Sequence, residues 1–183
     1  MPKNALENPL ILPILGLLAE QPRHPYAVFA ELRRRYTYLQ VRNATVYTLL
    51  DTLKAARLVE LVPAGDRGDH QPLRITAGGA AALAERVEHE VRSGDLTGGP
   101  AFMTALAYLS IMPSARAAEA LEARAAALAA EARHLQETLK ATDALEIHMI
   151  EAHYLLARLH QDTQWLTVAA RRIKSGDLPW PKP

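Results

Sequence analysis

Residues 43–75 read NATVYTLLDTLKAARLVELVPAGDRGDHQPLRI, and the hydrophobic period changes once within them. Val46, Leu49, Leu50 and Leu53 recur at i, i+3, i+4 and i+7, so the first half is a helix with one buried stripe, and Asn43 is placed to cap it. VELVP and PLRIT then replace that period with short β-branched and aliphatic runs. The polar, glycine-bearing AGDRGDHQ between them reads as the tip of a hairpin. Two further helices are expected upstream. PLILPILGLLAE (Pro9–Glu20) is apolar all round and so buried, and PYAVFAELRRRY starts with a proline suited to a first helical position and puts Val28, Phe29 and Leu32 on one face. Downstream, Thr76 caps a helix running to about Arg92. Helix, helix, helix, hairpin, helix is the order of a winged helix-turn-helix domain.

SGDLTGGP, residues 93–100, is the linker-like stretch of the chain. Beyond it AFMTALAYLSIM reads as a short helix stopped by Pro113, and Ser114–Ser175 runs for 62 residues without proline or glycine. Ser114 is a plausible N-cap for an Ala-rich helix in which Leu121, Ala125, Leu128, Ala132, Leu135 and Leu139 alternate spacings of four and three. An Asp143/Glu146 capping box breaks the run, and a final helix carries Leu145, Met149, Ala152, Leu156, Leu159, Thr163, Leu166, Ala170 and Ile173 on one seam, with Gly176 as the residue that ends it. The chain is therefore expected to be mainly α with one β-hairpin. Residues 1–92 form a winged-helix domain, 93–100 a linker, 101–176 a helical dimerisation domain and 177–183 a tail.

Composition narrows the chemistry. The 183 residues include no Cys, which removes disulfides, thiolate metal sites and cysteine nucleophiles. The net charge of +1 conceals a division: residues 1–80 carry 10 Lys/Arg against 7 Asp/Glu, and the remainder 11 against 13. The longest uncharged apolar stretch, Leu10–Ala19, is about half of a bilayer span and lacks signal-peptide flanks, which reads as a cytoplasmic protein without a membrane partner. His148, His153 and His160 lack the i, i+4 spacing of paired ligands, so no metal is expected. No nucleophile elbow, phosphate loop or carboxylate pair appears, and neither an enzyme nor a cofactor is expected.

What remains is binding. Ala44, Thr45, Tyr47 and Thr48 lie off the buried stripe in the first half of the third helix, where a recognition helix meets the major groove. The hairpin adds Arg67, His70, Gln71 and Arg74, placed to follow phosphates. The candidate DNA-binding set is therefore Asn43, Thr45, Tyr47, Thr48, Arg67, His70, Gln71 and Arg74. Arg33, Arg34 and Arg35 form the densest basic run, and cations in a last helical turn are favourable without any ligand. Leu145, Met149, Leu156, Leu159, Trp165, Leu166 and Ile173 are the candidate dimerisation residues, with Ile147, Ile150, Tyr154 and Leu155 offering apolar surface beyond the seam. A helical scaffold whose winged domain binds protein instead of DNA is the alternative.

NPLILPILGLLAEQPRHPYAVFAEL, ATVYTLLDTLKAARLVE and LRITAGGAAAL resemble, in order and spacing, the PadR family of bacterial transcriptional regulators. Thr45 and Tyr47 match its threonine-x-tyrosine, and Ile75, Thr76 and Gly79 its Leu-Thr-x-x-Gly. FMTALAYLSIMP, QWL and IKSGDLPWP resemble members with a long helical C-terminal domain. Pro25 and Arg57 stand where the family has glycine, and the wing strand has Leu73 and Arg74 in place of the usual tyrosine. The resemblance implies a homodimeric winged-helix repressor of a palindromic operator, with double-stranded DNA, a second copy of itself and a small, often aromatic, effector as partners. It assigns no effector-binding residue.

Overall fold

The computed structural model describes residues 5–62 and 71–181, and these divide into two compact units. The first comprises residues up to Val87 together with Pro100–Ile111; the second comprises Glu88–Gly99 and the chain from Met112 onward. Among the described residues there are seven α-helices and one antiparallel β-pair, the mainly α winged-helix architecture expected. No helix of the described residues is long and apolar enough to cross a membrane.

In the first unit α1 (Ile11–Glu20), α2 (Pro25–Arg35) and α3 (Asn43–Ala55) precede β1 (Val59–Leu61) and β2 (Leu73–Ile75), and α4 (Ala77–Ser93) follows. The core is the sum of the apolar stripes. Ile11–Leu18 of α1 is buried throughout, and Val28 and Leu32 of α2 and Val46, Leu49, Leu50 and Leu53 of α3 join it. Strand register sets Val59 opposite Ile75, Glu60 opposite Arg74 and Leu61 opposite Leu73. Arg23 adds an isolated antiparallel bridge to β2, exchanging backbone hydrogen bonds of 2.9 and 2.8 Å with Leu73.

The turn from α3 into β1 shows how a departure from the family pattern is accommodated. Arg57 N–H donates to the Lys54 carbonyl at 2.9 Å and Leu58 N–H to the Leu53 carbonyl at 3.0 Å. These two bonds form a Schellman cap, which requires a left-handed residue at Arg57. Arg57 has φ +59°, so the chain keeps the backbone that glycine would allow and accepts the crowding of a Cβ. Thr76 locks the same turn to α4. Its hydroxyl donates to the carbonyls of Arg57 and Leu58 (2.9 and 3.1 Å) and accepts the N–H of Gly79 at 3.0 Å, the N-cap expected. A Cβ on Gly79 would lie 2.0 Å from the Leu58 carbonyl oxygen, so no side chain fits at this contact.

α5 (Pro100–Ala107), grouped by the sequence pattern with the C-terminal helices, clusters with the first unit. The cause is Tyr108, just after it. A Cβ on Gly16 of α1 would fall 2.2 Å from the Tyr108 ring, and the buried Tyr36 hydroxyl donates to the Tyr108 hydroxyl at 2.7 Å. Burial raises the pKa of both tyrosines, which therefore stay protonated. Tyr38 and Thr104 hydroxyls meet at 3.2 Å nearby.

In the second unit α6 (Ser114–Ala141) and α7 (Ile150–Ser175) form a hairpin. Lys174, in the last turn of α7, holds Glu122 near the start of α6 at 2.7 Å, so the helices are antiparallel. Leu121, Ala125, Leu128 and Ala132 of α6 and Leu159, Leu166, Ala170 and Ile173 of α7 are buried. Gly176 takes the left-handed conformation, φ +79°, that ends α7 as expected. The cap assignments elsewhere need correction. Asn43 is the first residue inside α3 and the capping position is the extended Arg42; at α6 it is Pro113, not Ser114, and neither end has a side-chain cap. The break after Ala141 is present, but Asp143 and Glu146 form no capping box. Glu146–Met149 is a 3₁₀ turn, and α7 begins only at Ile150.

Arg124 is a buried charge in the Ala-rich α6, 1 % exposed. Its guanidinium donates to the carbonyls of Glu90 and Gly94 at 3.4 and 3.3 Å and to that of Asp95. Desolvation lowers its pKa, while the carbonyls at the end of α4 present the negative pole of a helix to it.

Candidate nucleic-acid interface

Because one stripe of α3 faces the core, its opposite side is necessarily displayed. Asn43, Ala44, Tyr47, Thr48, Asp51 and Lys54 are exposed, Tyr47 by 42 %, while Thr45 is half-buried at the edge. The Thr48 hydroxyl donates to the Ala44 carbonyl at 3.0 Å, one turn back. Its proton is committed to the helix, and its lone pairs are what it presents outward. Tyr47 and Gln71 line one cleft of about 340 Å³ with Pro25, Leu50, Asp51, Lys54, Leu61 and Leu73. The structure thus brings the recognition-helix tyrosine and the root of the hairpin together. Arg67 and His70 lie outside the described residues.

Arg74 is exposed, but its Nε donates to Glu60 Oε1 at 2.7 Å across the strand pair. Its charge is compensated where a free phosphate contact was expected. The Arg33–Arg35 run is likewise tied down. Arg34 and Arg35 both reach Glu31, at 2.7 Å each, and Arg35 also reaches Glu20 at 2.5 Å. The Arg34 hydrogen bond, with Arg35 beside it, holds the Glu31 carboxyl well below its ordinary range, at about 2. Arg33 sits over the Phe29 ring at 5.8 Å. Among the described residues, Arg42 at the entrance to α3 makes no ion pair, which gives the interface a cation that the sequence pattern left unremarked. Its position directly before the helix was the available signal. Asp51 and Lys54 extend the exposed strip one turn beyond the first half of α3, to which the sequence pattern confined the contact.

The expected dimerisation residues separate into two groups. Leu159, Leu166 and Ile173 are buried in the second unit, facing α6, whereas Leu145 is 71 % and Trp165 52 % exposed, with Met149 and Leu156 half-buried. A heptad seam serves the hairpin first. The uncovered apolar residues form a second stripe: Ile147, Ile150, Tyr154, Trp165 and Val168.

Three helices, an antiparallel pair directly after the third, and a polar strip left open on that third helix define a winged helix-turn-helix protein. Residues 14–85, the helix-turn-helix and hairpin part of the first unit, match the sequence profile described as the Transcriptional regulator PadR-like family. Similar solved structures include Bacillus subtilis PadR in complex with operator DNA, at 17 % identity, covering 90 % of this chain and 98 % of that one with a TM-score of 0.40. The same protein in complex with p-coumaric acid is similar at 16 % identity, over 91 % and 99 % of the two chains, with a TM-score of 0.39. A Streptococcus mutans structure is similar at 18 % identity, over 85 % and 95 %, with a TM-score of 0.38. No curated relative matches the chain.

Proposed function

We propose that this protein is a DNA-binding transcriptional repressor that acts as a homodimer on a palindromic operator and is released by a small aromatic effector. The observation that carries the reading is the exposed strip of α3: Ala44, Tyr47, Thr48 and Asp51 stand clear of a fully buried stripe, immediately before a hairpin. A helix of this kind lies in the major groove with its N-terminal end leading. There the Tyr47 hydroxyl reaches a phosphate, the small Ala44 and the outward lone pairs of Thr48 allow close approach to base edges, and Arg42 adds charge at the entrance. Thr45 and Gln71 border the contact, and Arg67 and His70, outside the described residues, stay candidate phosphate contacts on their residue types. Asn43 and Arg74 complete the set, Arg74 sharing its charge with Glu60 across the strand pair.

Two-fold DNA readers mirror a palindrome, so the second stripe of α7 is assigned to a second copy of this chain. Ile147, Ile150, Tyr154, Trp165 and Val168 span roughly 30 Å of helix-forming chain at about 1.5 Å per residue, enough for a stable apolar seam. Leu145 continues it. Selection of bound duplexes from a random pool tests the reading: the expected result is an inverted repeat, and candidate aromatic acids then release it. Enrichment of no sequence would refute it. Sedimentation should give a species of twice the 20.1 kDa chain mass; a 20.1 kDa species at micromolar concentration would refute the dimer.

A further inference from the structure

Asp51 differs from the other ion-paired acids of the first unit. Its side chain is 72 % exposed, against 34 % for Glu20, 22 % for Glu31 and 49 % for Glu60. Each of those three binds an arginine from another turn, helix or strand. Asp51 pairs with Lys54 at 2.8 Å, three residues along the same helix. An exposed pair of this kind adds little to stability. Asp51 nevertheless stands in a telling place. It follows Tyr47 by four residues and Thr48 by three, which puts all three on one strip, and it lines the same cleft as Tyr47 and Gln71.

A carboxylate there has few options. It only accepts hydrogen bonds, and phosphates repel it. The donors of the major groove are the amino groups of cytosine and adenine. Adenine shows its amino group beside the N7 acceptor, whose lone pair opposes a carboxylate; cytosine shows a donor without an acceptor on the same base. Lys54 at 2.8 Å offsets the repulsion that the flanking phosphates exert on Asp51. We infer that Asp51 is a specificity-determining residue that accepts from the N4 amino group of a cytosine, once in each half-site. The inference rests on the DNA-binding reading above and adds a base identity to it.

The test is selection from a random duplex pool with the full-length wild type, Asp51→Ala and Asp51→Asn. The wild type should enrich cytosine at one position of each half-site. Asp51→Ala should lose about tenfold or more of that preference and leave the other positions unchanged. Asp51→Asn should move the preference to adenine, because a carboxamide pairs with N6 and N7 together. Since Asp51 is exposed, both variants should melt with the wild type. The inference is overturned if all three proteins enrich the same sequence, or if Asp51→Ala shifts affinity for every duplex equally. A wild type that enriches nothing defeats the parent reading instead, so the two failures are distinguishable.

Discussion

Replacing Arg57 by glycine should make the protein more stable, although it removes a side chain. Arg57 closes the Schellman cap of α3 with φ +59°. A residue with a Cβ in the left-handed region is crowded by the following carbonyl, at a cost of about 1–2 kcal/mol. Glycine relieves that crowding but loses more freedom on folding, which takes back about 0.5–1 kcal/mol. The net gain is roughly 0.5–1 kcal/mol, and at about 2–4 °C per kcal/mol for a chain of this size the midpoint should rise by about 1–4 °C. Thermal unfolding followed by circular dichroism, with urea unfolding as a second measure, reads this directly. Arg57→Ala is the control: it deletes the guanidinium but keeps the Cβ, and should stay within about 0.5 kcal/mol of the wild type. If Arg57→Gly melts at or below the wild type while Arg57→Ala does not change, the backbone argument is wrong. Glycine in place of a left-handed Arg57 would then have no steric benefit, and the cap would have to tolerate a Cβ without cost.

Other expectations follow from particular contacts. Gly16→Ala should destabilise the first unit by about 1–3 kcal/mol, because its Cβ would enter the Tyr108 ring; a variant that melts with the wild type would show that α1 and Tyr108 separate easily. Arg124→Leu should lower the urea midpoint, since it strips donors from three carbonyls at about 1–3 kcal/mol for buried groups left unsatisfied, and an unchanged midpoint would contradict that. Glu31 should titrate near 2 by carboxyl NMR. Because its folded pKa lies below the unfolded value, its contribution is complete above about pH 5 and is lost as pH falls toward 2. A midpoint near 4.5 would mean that Arg34 and Arg35 do not hold it.

The apolar stripes of α1 to α3, the hairpin, the Thr76 cap and the left-handed Gly176 were legible because each depends on residues a few positions apart. What was not legible depends on long range or on the direction of chain entry. Asn43, Ser114 and Asp143 are good cap types, yet Arg42 and Pro113 arrive already extended and Glu146 is drawn into a 3₁₀ turn, so the capping positions moved. The place of α5 follows from Tyr108 meeting Gly16, a contact between residues 92 positions apart that no local pattern announces. The Arg74–Glu60 ion pair exists only because the strand register sets these two residues, 14 positions apart, opposite each other. The α7 seam was read correctly as apolar, but two sets of residues on that helix compete for partners. The hairpin takes Leu159, Leu166 and Ile173, and leaves Ile150, Tyr154 and Trp165 outside.

The central claim is that the open strip of α3 lies against a charged duplex. The most direct measurement is the affinity of the full chain for its selected duplex as salt is raised, followed by fluorescence anisotropy. A straight fall of log K with log salt is expected, with a slope of about −0.9 for each phosphate contacted, and a slope shallower by about one contact per subunit in Arg42→Ala. A flat salt dependence, or equal affinity for the selected duplex and its scrambled counterpart, would contradict it.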